Sequence, residues 1–185
     1  MEPGFYTIGH STRALDEFMP LLREYGVALV VDVRTVPRSR HVPQFSRESL
    51  SAALREHGFD YLWLPELGGL RKAVAGSTLN AGWRNGSFRG YADYMQTDSF
   101  WQGIARLEQV VPRPPALMCA EAVPWRCHRS LIADALLLRG HAVTDILGPG
   151  QARVHARTVF ARVRNGRLIY PPDQDLLLEP EAGGI

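Results

Sequence analysis

The chain has 185 residues, of which 45% are hydrophobic and 22% charged, and a formal net charge of +2. These values fit a folded globular protein and exclude a disordered or fibrous one. With two cysteines, no apolar run long enough to span a bilayer and no basic-then-apolar leader, the expectation is a reduced, cytoplasmic setting with no membrane contact.

Phe5–Gly9 is a short β-prone run, and His10-Ser11-Thr12 suits the start of a helix. Leu15, Phe18, Met19 and Leu22 recur at helical spacing up to Gly26, with Pro20 expected to kink or split that helix. Val27–Val33 is almost wholly apolar, as in a strand covered on both faces, and it runs into Asp32 and Arg34. A loop with Pro37, Arg38, Arg40 and Pro43 follows. Ser46 is then placed to cap a helix carrying Leu50, Ala53 and Leu54, with Glu48 in its first turn and Gly58 at its end.

Tyr61–Leu64 is a third strand. Residues from about Pro65 to Gly90 form a long irregular segment rich in Gly, Asn and Ser, a length that in compact domains goes with function or mobility. Tyr91, Tyr94, Met95, Phe100, Ile104 and Leu107 predict one or two helices, broken at Pro112–Pro115. Ala116–Cys119 is a fourth strand, Ser130–Arg139 a helix ended by Gly140, and Ala142–Leu147 a fifth strand.

Strand and helix alternate throughout, which predicts an α/β fold: a mostly parallel sheet with helices on both faces. Val159–Val163 and Arg167–Tyr170 flank Asn165-Gly166, a hairpin turn signal, so a C-terminal β-hairpin appendage is expected. The reading is one domain over residues 1–185, with its core at about 5–150 and hairpin and tail at about 151–185. Residues after Pro171 carry little pattern.

Three predicted strand ends carry polar groups that a plain turn does not need. They are Gly9-His10-Ser11, Asp32-Val33-Arg34, and Cys119-Ala120-Glu121 leading to Cys127-His128-Arg129. In a parallel sheet these ends share the edge where open α/β folds bind ligands.

Anion binding asks least of this set. A helix N-terminus offers free N–H groups, and Arg34, Arg38, Arg126 and Arg129 would add charge-assisted bonds. Of the 21 basic residues only Lys72 is a lysine, a bias that suits anion recognition or simply GC-rich coding. Ser11, Asp32 and Glu66 complete the expected ligand-binding set. Asp32 with Arg34 also reads as a structural ion pair.

Cys127 is the candidate nucleophile, before or in the first turn of a helix and flanked by Arg126, His128 and Arg129, or else a small packed residue. Glu121, His128 and His10 are the candidate acid–base or orienting groups. Cys119, ending an apolar strand, reads as a buried inert thiol.

The segment invites comparison with cysteine phosphatase loops, but the register fails: counted from Cys119 the arginine position is Trp125, and counted from Cys127 it is Ala133. Neither a phosphatase nor a rhodanese-type sulfurtransferase is therefore assigned. Zinc binding by Cys119, Cys127, His128 and His10 is the alternative. It ranks lower because the cysteine spacing fits no compact zinc knuckle and adjacent Cys-His ligands rarely reach one ion. No metal ligand and no cofactor is assigned.

The aromatics Trp83, Phe88, Tyr91 and Trp125, interleaved with Arg84, Arg89 and Arg126, suit either base stacking in a non-catalytic nucleic-acid-binding module or anchoring of the long loop; anchoring is favoured. His41, His57, His141 and His155 are assigned no role. Partners then reduce to a small anionic, nucleotide-like ligand, with nucleic acid as the alternative; whether the protein is an enzyme, and its oligomeric state, stay open.

Tyr6–Thr12, Asp32–Arg34 with Pro37–Ser39, Leu64–Gly69, Tyr91–Met95, and Cys119–Glu121 with Cys127–Arg129 together resemble the domain of unknown function 488 family, collinearly over about residues 5–147. The resemblance implies a bacterial-type soluble α/β protein whose cysteine-, glutamate- and histidine-bearing segment has no assigned role. It implies no activity.

Overall fold

The computed structural model describes residues 4–110 and 113–172. Pro112 and the tail from residue 173 onward lie outside that range. Among the described residues no helix is long and apolar enough to cross a membrane.

The elements run β1 (Phe5–Gly9), α1 (Leu15–Glu24), β2 (Leu29–Asp32), α2 (Arg47–Glu56), β3 (Asp60–Trp63), α3 (Gly86–Tyr94), α4 (Asp98–Glu108), β4 (Pro115–Cys119), α5 (Arg129–Leu138), β5 (Val143–Gly148), β6 (Gln151–Val154), β7 (Arg162–Arg164) and β8 (Arg167–Ile169). Six strands form one sheet in the order β3-β2-β4-β1-β5-β6. The first five are parallel, and β6 turns back antiparallel on β5. The fold is thus the expected α/β sheet, with β7 and β8 as the expected separate antiparallel hairpin.

Alternation along the strands sends side chains into two cores, as a two-period pleat requires. Ile8, Val30, Ala116 and Met118 pack with Phe18, Leu22, Leu50 and Leu54 of α1 and α2. Leu29, Val31, Leu117 and Cys119 pack on the opposite face with Tyr91, Phe100, Ile104, Leu131 and Leu136 of α3, α4 and α5. Both faces are therefore covered, which is why β2 and β4 read as unbroken apolar runs.

Several sequence expectations change. Pro20 does not split α1, which runs unbroken for ten residues. The hydrogen bond that Pro20 cannot make belongs to the Asp16 carbonyl, in the exposed first turn where water serves. Ser46 precedes α2 but its side chain makes no cap hydrogen bond. The irregular segment ends five residues earlier than the pattern suggested: the Asn85 side chain accepts from the Ser87 and Phe88 N–H groups, at 2.8 and 3.3 Å, and starts α3 at Gly86. Strand β6 had no sequence signal, since all four of its residues are exposed.

In the β7–β8 turn Asn165 and Gly166 both have positive φ, 51° and 73°, the backbone that tight hairpins demand. This hairpin packs on α5, burying Leu168 and Tyr170.

Beneath it lies a buried polar network. His155 Nε2 bonds Asp134 Oδ1 at 3.1 Å, and Nδ1 bonds Asp145 Oδ2 at 3.1 Å. Thr7 donates to Asp145 at 2.7 Å and the Tyr170 hydroxyl to Asp134 at 3.0 Å. The network joins β1, β5, α5 and the hairpin. Both ring nitrogens face carboxylates, so the two aspartates, working against burial, raise the pKa of His155 to about 9.

Candidate functional site

The connections from β1 and β4 leave in opposite directions. The chain from β1 crosses β4 to reach β2, and the chain from β4 crosses β1 to reach β5. Such a switch point opens a crevice beyond the carboxyl ends of the two strands. Gly9 pairs with Cys119 there, and the ladder continues with His10 N–H to the Cys119 carbonyl and Ser11 N–H to the Ala120 carbonyl, each 2.9 Å.

A cavity of about 400 Å³ sits on this edge. Of the residues singled out by sequence, His10, Arg34, Glu121, Arg126, Cys127 and His128 line it. The three strand ends therefore do meet. Cys119 also lines it, so the thiol read as inert is buried yet faces the cavity. Arg38, after β2, is a further expected anion-binding arginine that lines it, while sequence reasoning passed over Ser39 beside it, Leu70 in the long segment and Ser87 in α3 as wall residues.

Four expected ligand-binding residues stand elsewhere. Arg129 is fully buried behind the cavity, where it donates to the carbonyls of Glu121 (2.6 Å) and Ala122 (3.1 Å) and so fixes the loop after β4. Asp32 is fully buried and grips Arg34 in a two-pronged pair, at 2.8 and 2.6 Å, and accepts from the Tyr61 hydroxyl at 2.7 Å. Ser11 does not line the cavity; its carbonyl accepts from His10 Nδ1 at 2.8 Å. Glu66 does not line the cavity and pairs with Arg106 of α4.

That segment is held closely. Asn80 Nδ2 and the Val74 N–H both donate to Asp93, at 2.8 Å each, and Arg71 stacks on Tyr94 at 3.6 Å. Trp83 stacks on Phe88 at 4.7 Å and abuts Phe160 at 4.9 Å, so these aromatics anchor the loop. Trp125 differs: it is half exposed and lies under Arg153 at 4.5 Å.

The cavity floor is a group of three donors. Cys119 Sγ, Cys127 Sγ and His128 Nδ1 all lie within 4.8 Å of one another, with Cys127 to His128 at 3.7 Å. Neighbouring residues in sequence thus do converge, because Cys127 has extended backbone while His128 turns into α5. His128 Nε2 donates to the Val33 carbonyl at 2.9 Å, which leaves the Nδ1 lone pair for the sulfurs. Tyr91 packs on the ring at 4.9 Å. Gly69 also lies against it: a Cβ there would lie 2.4 Å from Nδ1, so any larger residue must displace the ring or the loop.

A hydrogen bond between the sulfurs, aided by His128 and Arg129, holds Cys119 well below the ordinary thiol range, and the same bond, with burial, pushes Cys127 up. Within this pair the directions favour the thiolate at Cys119. Burial, helped by the Arg34 guanidinium, holds His10 below the ordinary imidazole value; its Nε2 faces Arg34 Nη1 at 3.3 Å and its ring stacks on Phe45 at 4.4 Å. These three donors are the group that could hold a metal ion among the described residues.

Arg38 and Arg126 are exposed at the mouth and enter no ion pair among the described residues. Val36 and Leu70, 56% and 76% exposed, give the same mouth an apolar border.

No curated protein and no solved structure matches the chain. A family model described as "Domain of unknown function DUF488" matches residues 14–136, well over half of the sequence. That stretch contains every cavity-lining residue named above except His10. The chain belongs to the DUF488 family.

Proposed function

We propose that the cavity binds a small anionic molecule, phosphate-bearing or nucleotide-like, and presents it to the sulfurs on its floor. The observation that carries this reading is the pair of guanidiniums, Arg38 and Arg126, uncommitted among the described residues, at the mouth of a crevice on the sheet's switch point. Guanidinium groups bind phosphate and carboxylate oxygens with paired, charge-assisted hydrogen bonds. The apolar border of Val36, Leu70 and Phe88 suits the flat, uncharged part of a nucleotide-like ligand. The groups within reach of such a ligand are Cys119, Cys127, His128, His10 and Glu121, so the reading includes cysteine-dependent chemistry with proton transfer by the histidines or Glu121.

The test is calorimetric titration with inorganic phosphate, a nucleoside monophosphate and the matching uncharged nucleoside, in the wild-type chain and in Arg38→Ala/Arg126→Ala. Each charge-assisted bond contributes about 1.5–3 kcal/mol, so the double variant should bind the monophosphate at least about tenfold more weakly. The uncharged nucleoside should bind poorly to both. Equal binding by wild type and double variant, or no anion binding at low salt, refutes the proposal.

A further inference from the structure

Three features of the cavity floor exceed what an anion cradle requires. The first is donor geometry. In a tetrahedral zinc site, bonds of about 2.3 Å to sulfur and 2.0–2.1 Å to nitrogen place ligand sulfur and nitrogen about 3.6 Å apart. Cys127 Sγ and His128 Nδ1 are 3.7 Å apart, and Cys119 Sγ lies within 4.8 Å of both.

The second is support. Metal-ligating histidines characteristically donate their other N–H to a carbonyl or carboxylate, which fixes tautomer and ring plane. His128 does this through Val33 at 2.9 Å, and Gly69 and Tyr91 close on the ring.

The third is charge. The Arg129 guanidinium is fully buried, binds two carbonyls, has no carboxylate partner among the described residues, and leaves its Nε without a hydrogen bond. A buried cation with no partner is costly. Metal-bound thiolates at Cys119 and Cys127 would supply the offsetting negative charge.

We propose that Cys119, Cys127 and His128 bind a zinc-type divalent cation, with the fourth coordination position open to the cavity. Two cysteines and a histidine with an open position form the ligand set of a catalytic zinc site, whereas structural sites close the fourth position with protein. Two thiolates cancel the charge of the ion, and Arg129 leaves the floor positive. The fourth ligand is therefore anionic, either hydroxide or the anion held by Arg38 and Arg126. Only this last clause rests on the function proposed above; the three-ligand site stands without it.

Metal analysis of the wild-type chain purified with zinc and dialysed without chelator should give about one zinc per chain. Cobalt(II) replacement should give intense visible absorption of tetrahedral type and a near-ultraviolet thiolate-to-cobalt band. Cys119→Ser, Cys127→Ser and His128→Ala should each lose the bound ion or the tetrahedral spectrum while keeping the far-ultraviolet dichroism of the wild type.

Because substitutions at buried positions can unfold a chain, a second measurement uses the wild type alone. Zinc should shield both cysteines from alkylation, and a chelator should expose them. A folded wild-type chain that retains no zinc, gives only the weak spectrum of octahedral cobalt, and alkylates equally with and without zinc overturns the site. Phosphate should perturb the cobalt spectrum of the wild type but not of Arg38→Ala/Arg126→Ala. A tetrahedral spectrum indifferent to phosphate keeps the metal site and overturns the anion held by Arg38 and Arg126 as its fourth ligand; phosphate binding to a chain that takes no metal overturns the metal site and keeps the anion-binding function proposed above.

Discussion

Replacing His155 by glutamine tests how the hairpin and the sheet are joined. The imidazole is 7% exposed and bonds two fully buried carboxylates. Its pKa, 6.5 in an unfolded chain, is about 9 in the fold. At about 1.36 kcal/mol for each pH unit, that difference corresponds to about 3 kcal/mol of added stability while the ring is charged in both states. Because the folded value is the higher one, the contribution is complete below pH 6.5. It declines as pH rises and is gone above about pH 9.

For a chain of this size 1 kcal/mol moves the midpoint by about 2–4 °C. His155→Gln should therefore melt roughly 6–12 °C below the wild type at pH 6, and the gap should shrink steadily by pH 9.5. Thermal unfolding followed by circular dichroism across this range measures the gap directly. A gap that is constant with pH would refute the assignment of a charged imidazole between Asp134 and Asp145.

Two further substitutions probe the site. Gly69→Ala drives a methyl group into the His128 ring; loss of such second-layer support typically weakens metal binding by about 10–100-fold, and a competition titration against a coloured chelator should show that loss with little change in fold. Asp32→Asn leaves Arg34 buried without its counter-charge. Breaking one side of a buried pair costs about 3–5 kcal/mol, so denaturant midpoints should fall accordingly, and a loss under 1 kcal/mol would contradict the role given to that pair.

Much of this architecture was legible because its signals are local. Apolar runs at Leu29–Asp32 and Pro115–Cys119 show strands covered on both faces, and polar residues clustered just beyond them mark the ligand edge. The convergence of His10, Arg34 and Cys127 followed from the parallel topology alone.

What escaped notice depends on contacts between distant segments. The partnership of His128 with Val33, the pressure of Gly69 on the His128 ring and the bond of His155 to Asp134 leave no periodic trace in the sequence. Arg129 looked like a ligand group because its neighbours are polar. Its guanidinium instead turns inward to two loop carbonyls. Cys119 looked inert because the strand before it is apolar, yet a strand's last residue can be covered by the core and still face the crevice at the strand end.

The central expectation for this cavity is an anion bound between Arg38 and Arg126 above the two sulfurs. Crystals soaked in tungstate, an anomalously scattering analogue of phosphate, test it directly. The expected result is an anomalous peak inside the cavity, with oxygens about 2.7–2.9 Å from both guanidinium groups. Peaks confined to the outer surface, with none in the cavity, would contradict it.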